Sequence, residues 1–156
     1  MENKDLADAI IDIRNAIENT LRSEINVDGG ILSDVKTLVI GNKTSQKPMT
    51  PALWVFFNPA IPLVNTTMLK CETWEMDIII IGVVYNPVQD EGYLEANKLT
   101  AHAKKVLLAD RTLGFGYGTF FNDIKSKSFD GNNPYFNQGN YFTAAFTCTT
   151  VFAVRE

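Results

Sequence analysis

The stretch Thr73–Tyr85, TWEMDIIIIGVVY, limits the folds open to this chain more than any other. Its first half alternates, with Trp74, Met76 and Ile78 on one side and Glu75 and Asp77 on the other. From Ile78 to Val84 apolar residues occupy both sides, broken only by Gly82. This pattern predicts a strand half-exposed at one end and covered on both faces at the other. Four consecutive isoleucines are disfavoured in a helix, where β-branched side chains lose rotamer freedom. The remaining segments must therefore supply strands beside this one and helices above it.

Those segments are readable in turn. Residues 4–25 place Leu6, Ile10, Ile13, Ile17 and Leu21 at steps of three and four, an amphipathic helix with one buried stripe that Asn3 or Asp5 can cap. Short strands are expected at 35–40 and 52–58, separated by the polar, proline-bearing loop 41–51. The connection PAIPLVNTT that follows is apolar where loops are normally polar. Ile61, Leu63 and Val64 therefore need cover, either from the core or from another chain. Residues 52–85 read as one extended hairpin with a projecting tip. A second helix is expected over 91–109, capped by Asp90, with Tyr93, Ala96, Leu99, Ala103, Val106 and Leu107 inward. Strands at 119–129, carrying Lys125 and Lys127 on one side, and at 141–154 complete the chain. The second of these alternates cleanly except at Thr150, which a bond to a backbone carbonyl would satisfy. The order of elements predicts a single α+β domain over 1–156. Its sheet is mainly antiparallel, of about four to six strands, with two helices packed on one face.

Composition excludes several classes. A net charge of −4 with a pI near 5.0 does not suit a general nucleic-acid binder, which needs cationic surface to displace phosphate counterions. The N-terminus lacks a basic segment leading into an apolar one, and no apolar run approaches the roughly 20 residues of a membrane helix, so cytoplasmic synthesis is expected. The glycosylation patterns at Asn42 and Asn65 then mark only polar turns. Cys71 and Cys148 are too few for a disulfide framework or a metal site.

No linear motif announces chemistry. Gly114-Phe115-Gly116-Tyr117-Gly118 follows a helix and lacks the third glycine of a dinucleotide fingerprint, so it reads as a turn with aromatic anchors. His102, the single histidine, sits at the outer edge of its helical stripe without a named orienting partner, and reads as a boundary residue. Glu75 and Asp77 share one strand face and could act as a carboxylate pair, although side chains two apart on a strand more often form a solvated face.

The opening amphipathic helix, the strand PALWVFFN, the strand WEMDIIIIGVVY leading at once into EGYLEANKLTAHAKKVLLAD, and the closing strand YFTAAFTCTTVFAV together resemble the tail-terminator and tail-completion proteins of long-tailed bacteriophages and prophages. The resemblance implies a sheet flanked by helices and a homo-oligomeric ring, commonly a hexamer. That ring caps the tail tube and joins it to the head–tail connector, with DNA only in passage. It implies no catalytic residue, no cofactor and no metal, and a final place in the virion tail. On that footing Ile61, Leu63 and Val64 are candidates for one side of a subunit contact. Glu75 and Asp77 are candidates for an acidic channel lining along which DNA would slide. Two other readings stand beside it. One is a small-ligand-binding domain with a pocket lined by Trp54, Phe56, Trp74 and Phe146; the other is a hydrolase using Glu75 and Asp77.

Overall fold

The computed structural model describes residues 4–41, 49–63, 71–131 and 139–155. Asn3, the glycosylation patterns at Asn42 and Asn65, and residues 64–70 of the expected 52–85 hairpin, Val64 among them, lie outside them. Elements run α1 (Leu6–Ile25), β1 (Thr37–Ile40), β2 (Ala52–Phe57), β3 (Ile61–Pro62), β4 (Cys71–Tyr85), α2 (Gln89–Leu108), β5 (Phe121–Asp130) and β6 (Tyr141–Arg155). The six strands form one open sheet in the order β1-β2-β4-β6-β5, with β3 adding to β4 beyond the end of β2. All pairings are antiparallel except β1 with β2, which runs parallel with Thr37 opposite Ala52. This α+β architecture is the one the element order predicts, and β4 is the central strand.

Both helices lie on one face. Ala9, Ile13, Ile17 and Leu21 of α1 are fully buried, together with Leu53 and Val55 of β2, Met76, Ile78 and Ile80 of β4, and Phe146, Cys148 and Phe152 of β6. The α1 cap is Asp5, whose carboxylate accepts the Asp8 N–H at 2.8 Å. At α2 the expectation is corrected. The helix begins at Gln89, Val88 occupies the cap position without a side-chain bond, and Asp90 lies inside the first turn. Asn86 does the local work instead, its Oδ1 accepting the Val88 N–H at 2.8 Å, while Asp90 and Glu91 face the positive end of the helix dipole.

The buried residues of α2 are smaller than the apolar stripe suggests: Gly92, Ala96, Thr100, Ala103 and Leu107. Small side chains let the helix axis approach the sheet. At the closest point Thr100 Oγ1 takes the Gly82 N–H at 3.2 Å and donates to the Ala144 carbonyl at 3.1 Å. Gly82 and Ala144 are register partners on β4 and β6, so this hydroxyl fastens the helix to two strands at once. Thr150 on β6 is satisfied as its position requires, donating to the Met76 carbonyl at 2.9 Å.

Between β2 and β3 the register changes. Asn58 donates its N–H to the Asp77 carbonyl, yet Ile61 lies opposite Glu75, so an extra residue is accommodated near Pro59 and Ala60. Leu63 N–H bonds the Thr73 carbonyl at 2.8 Å. Pro62, one residue earlier, therefore stands where an N–H would point away from β4, and its ring costs no ladder bond.

The turn 110–119 is built from its own polar groups. Asp110 accepts from Thr112 and from the Gly114 N–H, while Gly114, Gly116 and Gly118 all adopt positive φ. Phe115 packs edge-on to Phe120 at 4.9 Å while Tyr117 points outward, 92% exposed. The aromatic-anchored turn expected for this stretch is the one observed.

Candidate assembly surface

The face of the sheet opposite the helices divides into two halves. Near β1 and β2 it is apolar, with Trp54, Phe56, Ile79, Ile81, Val83 and Ala145 forming a second cluster. Toward the hairpin it turns polar. Register places Ile61 of β3, Glu75 of β4, Val151 of β6 and Asp123 of β5 in one row, and Asp77, Thr149 and Lys125 in the next. Side chains of directly paired residues project to the same face. Ile61 and the carboxylates of Glu75 and Asp77, noticed in the sequence for separate reasons, thus stand together. Ile61 is 57% exposed, and Leu63 is half-buried.

Asp77 is already partnered within the chain. Its Oδ2 accepts from Lys127 Nζ at 2.6 Å and its Oδ1 from Thr149 Oγ1 at 2.7 Å. Burial by itself would raise its pKa, but the bonds from Lys127 and Thr149 outweigh that and hold the carboxyl below the usual aspartate value. Lys127 reaches it because β5 bulges at that point: Ser126 lies opposite Cys148 and Ser128 opposite Thr147, leaving Lys127 as the additional residue. The lysine is held above its ordinary pKa, first by its bond to Asp77 and also by the nearby Glu75. The surface is therefore not purely acidic. Sequence spacing shows Lys127 as a charge on a strand, but the bulge that aims it at Asp77 has no signature in composition.

The pocket expected from Trp54, Phe56, Trp74 and Phe146 does not form. Trp54 and Phe56 belong to the cluster on the face away from the helices, whereas Trp74 and Phe146 pack on the helix side, so the sheet itself separates the two pairs. Alternation along β2 against that along β4 and β6 enforces the split. His102 is half-buried on α2, at an open groove of about 470 Å³ also lined by Asp34, Glu95 and Lys98. Glu95 accepts from Asn86 Nδ2 at 3.1 Å, and no hydrogen bond to His102 is present among the described residues. No group of three or more His, Cys, Asp or Glu side chains among the described residues is placed to hold a metal ion. No described helix is long and apolar enough to cross a membrane.

No protein-family model matches this chain, and no curated protein matches it. Among solved structures, one chain of the virion of a native gene transfer agent particle superposes with a TM-score of 0.57 at 10% identity. The match covers 90% of this chain and 94% of that one. At that identity the likeness is one of fold.

Proposed function

We propose that this protein is a structural component of a phage-like virion, of the tail-terminator or tail-completion type, with a non-enzymatic role. The observation that carries the reading is the nearly complete two-way coverage between this chain and a chain of a virion particle, 90% and 94%. The likeness therefore spans the whole domain and not a shared fragment, and the step from fold to role is one of analogy. The sequence resemblance, which rests on the order of the same elements, points to the same class.

In this reading the chain forms a closed homo-oligomeric ring, commonly hexameric, between the tail tube and the head–tail connector. A ring of identical subunits needs two different patches, one meeting the other on the next copy. Ile61 and Leu63 supply one of them, and the exposure of Ile61 supports that choice over a core role. Glu75 and Asp77 turn toward the axis. Because Lys127 neutralises Asp77, the lining offered to passing DNA is closer to neutral than acidic, which still avoids a cationic trap for phosphates.

The test is the mass and shape of the purified protein. Light scattering coupled to size exclusion, followed by electron microscopy of negatively stained particles, should give annular oligomers whose share rises with concentration. A monomer at every concentration up to about 100 μM, an affinity weaker than about 5.5 kcal/mol of association, would refute the ring.

A further inference from the structure

We infer that the contact between neighbouring copies joins the Ile61–Glu75 corner of one subunit to Lys125 on β5 of the next. It rests on the head-to-tail assembly proposed above and names the surfaces that would meet. At the hairpin end the sheet is four strands wide, β3-β4-β6-β5, so β3 and β5 are its two outer strands and face away from each other. Their charges are unlike. The bulge at Lys127 lets that lysine satisfy Asp77, which leaves Glu75 on the β3 side and Lys125 on the β5 side. Strand β6 lies between them, so about 10 Å of sheet separates their columns and keeps them from pairing within one chain. Lys125 is exposed and Glu75 half-buried, both on the face away from the helices.

Geometry decides what kind of contact this is. Two prolines flank Ile61, and Pro62 removes the outward N–H of β3. Strand β5 carries register shifts near Asn122 and Lys127. These features prevent the backbone of one copy from continuing the ladder of the next. Side chains must make the contact instead. The aliphatic stem of Lys125 lies across the exposed Ile61 of the neighbour and its ammonium reaches Glu75 one strand further in, as long cationic side chains do over apolar surface. Opposite charge on opposite edges also fixes direction, since two like edges would bring Lys125 against Lys125 or Glu75 against Glu75.

The experiment uses the full chain. Isotope-labelled and unlabelled protein are mixed, reassembled and treated with a zero-length carbodiimide, which couples a carboxylate to an amine only in direct contact. Cross-linked Glu75–Lys125 peptides of mixed isotope composition are expected. In parallel, Glu75→Lys and Lys125→Glu should each weaken association at least about tenfold, and the double swap in one chain should restore it. Both positions are accessible, so circular dichroism melting should remain near wild type. Should a variant unfold, the cross-link in native protein decides alone. If wild-type protein assembles but yields no mixed-isotope cross-link, or if the single swaps assemble as wild type does, or if the double swap fails to restore association, this contact is wrong and the ring stands. If wild-type protein never assembles, both fall.

Discussion

Gly82→Ala tests how closely α2 is fitted to the sheet. A Cβ at residue 82 would lie 2.3 Å from Thr100 Oγ1 and 3.3 Å from Leu99 Cδ2. The first distance is far inside van der Waals contact, and Thr100 is fully buried, so the helix or the strand must shift. Overpacking of this kind costs about 1–3 kcal/mol. The displaced hydroxyl also loses its bonds to Gly82 N–H and the Ala144 carbonyl, worth about 1 kcal/mol each. Against this, alanine lowers the entropy of the unfolded chain by about 0.4–1 kcal/mol. The net expectation is a loss of roughly 2–4 kcal/mol, a drop of roughly 5–12 °C in melting temperature for a chain of this size. Urea denaturation followed by circular dichroism at one fixed protein concentration measures it. Thr100→Ala removes the obstructing oxygen together with its two bonds to the strands, so it should cost about 1–2 kcal/mol by itself. The double variant should then be more stable than the sum of the two losses by at least about 1 kcal/mol. A Gly82→Ala protein within 0.5 kcal/mol of wild type, or strict additivity in the double variant, would refute the close approach.

Three further outcomes follow from the same geometry. The folded pKa of Asp77 lies below its unfolded value. Its network therefore contributes stability above about pH 4 that is lost as pH falls through the folded value. Asp77→Asn should flatten the decline of melting temperature between about pH 5 and pH 2, and a parallel decline in the two proteins would contradict the pairing. Burial, aided by the nearby Asp77, pushes the Cys148 thiol up to about 12. Alkylation at pH 8 should therefore spare Cys148 in native protein and modify it in urea, with peptide mapping as the readout. Ile61→Ser should change the unfolding free energy measured in urea by no more than about 0.5 kcal/mol while reducing assembly, whereas Ile80→Ala, at a fully buried position, should cost about 2–5 kcal/mol. Equal destabilisation by the two changes would place Ile61 in the core.

Local periodicity was enough to find most of the fold. Steps of three and four around Ile13 and Ile17, four successive isoleucines, and the alternation of Phe142–Val154 each state which side of an element avoids water. That property is written in neighbouring residues and survives without knowledge of partners. It also led to a false pocket. Alternation assigns Trp54 and Phe56 a common side, and Trp74 another, but it does not say which side of one strand matches which side of the next. Only pairing does so, and pairing sent the two groups to opposite faces. The smaller residues of α2 carry no signal in the sequence for a related reason. Gly92 and Thr100 look neutral on a helical wheel, and their value appears only where Gly82 and Phe142 come within reach across the sheet.

By itself the sequence determined that the chain would form two amphipathic helices and a set of strands around Thr73–Tyr85, because burial of apolar stripes depends on spacing along the chain. Tertiary structure alone decided that β1 runs parallel to β2, that Ile61 faces the same side as Glu75, and that a bulge swings Lys127 onto Asp77. These outcomes depend on register between segments distant in sequence. A slip of one residue there reverses every side chain, and no local pattern records which register prevails.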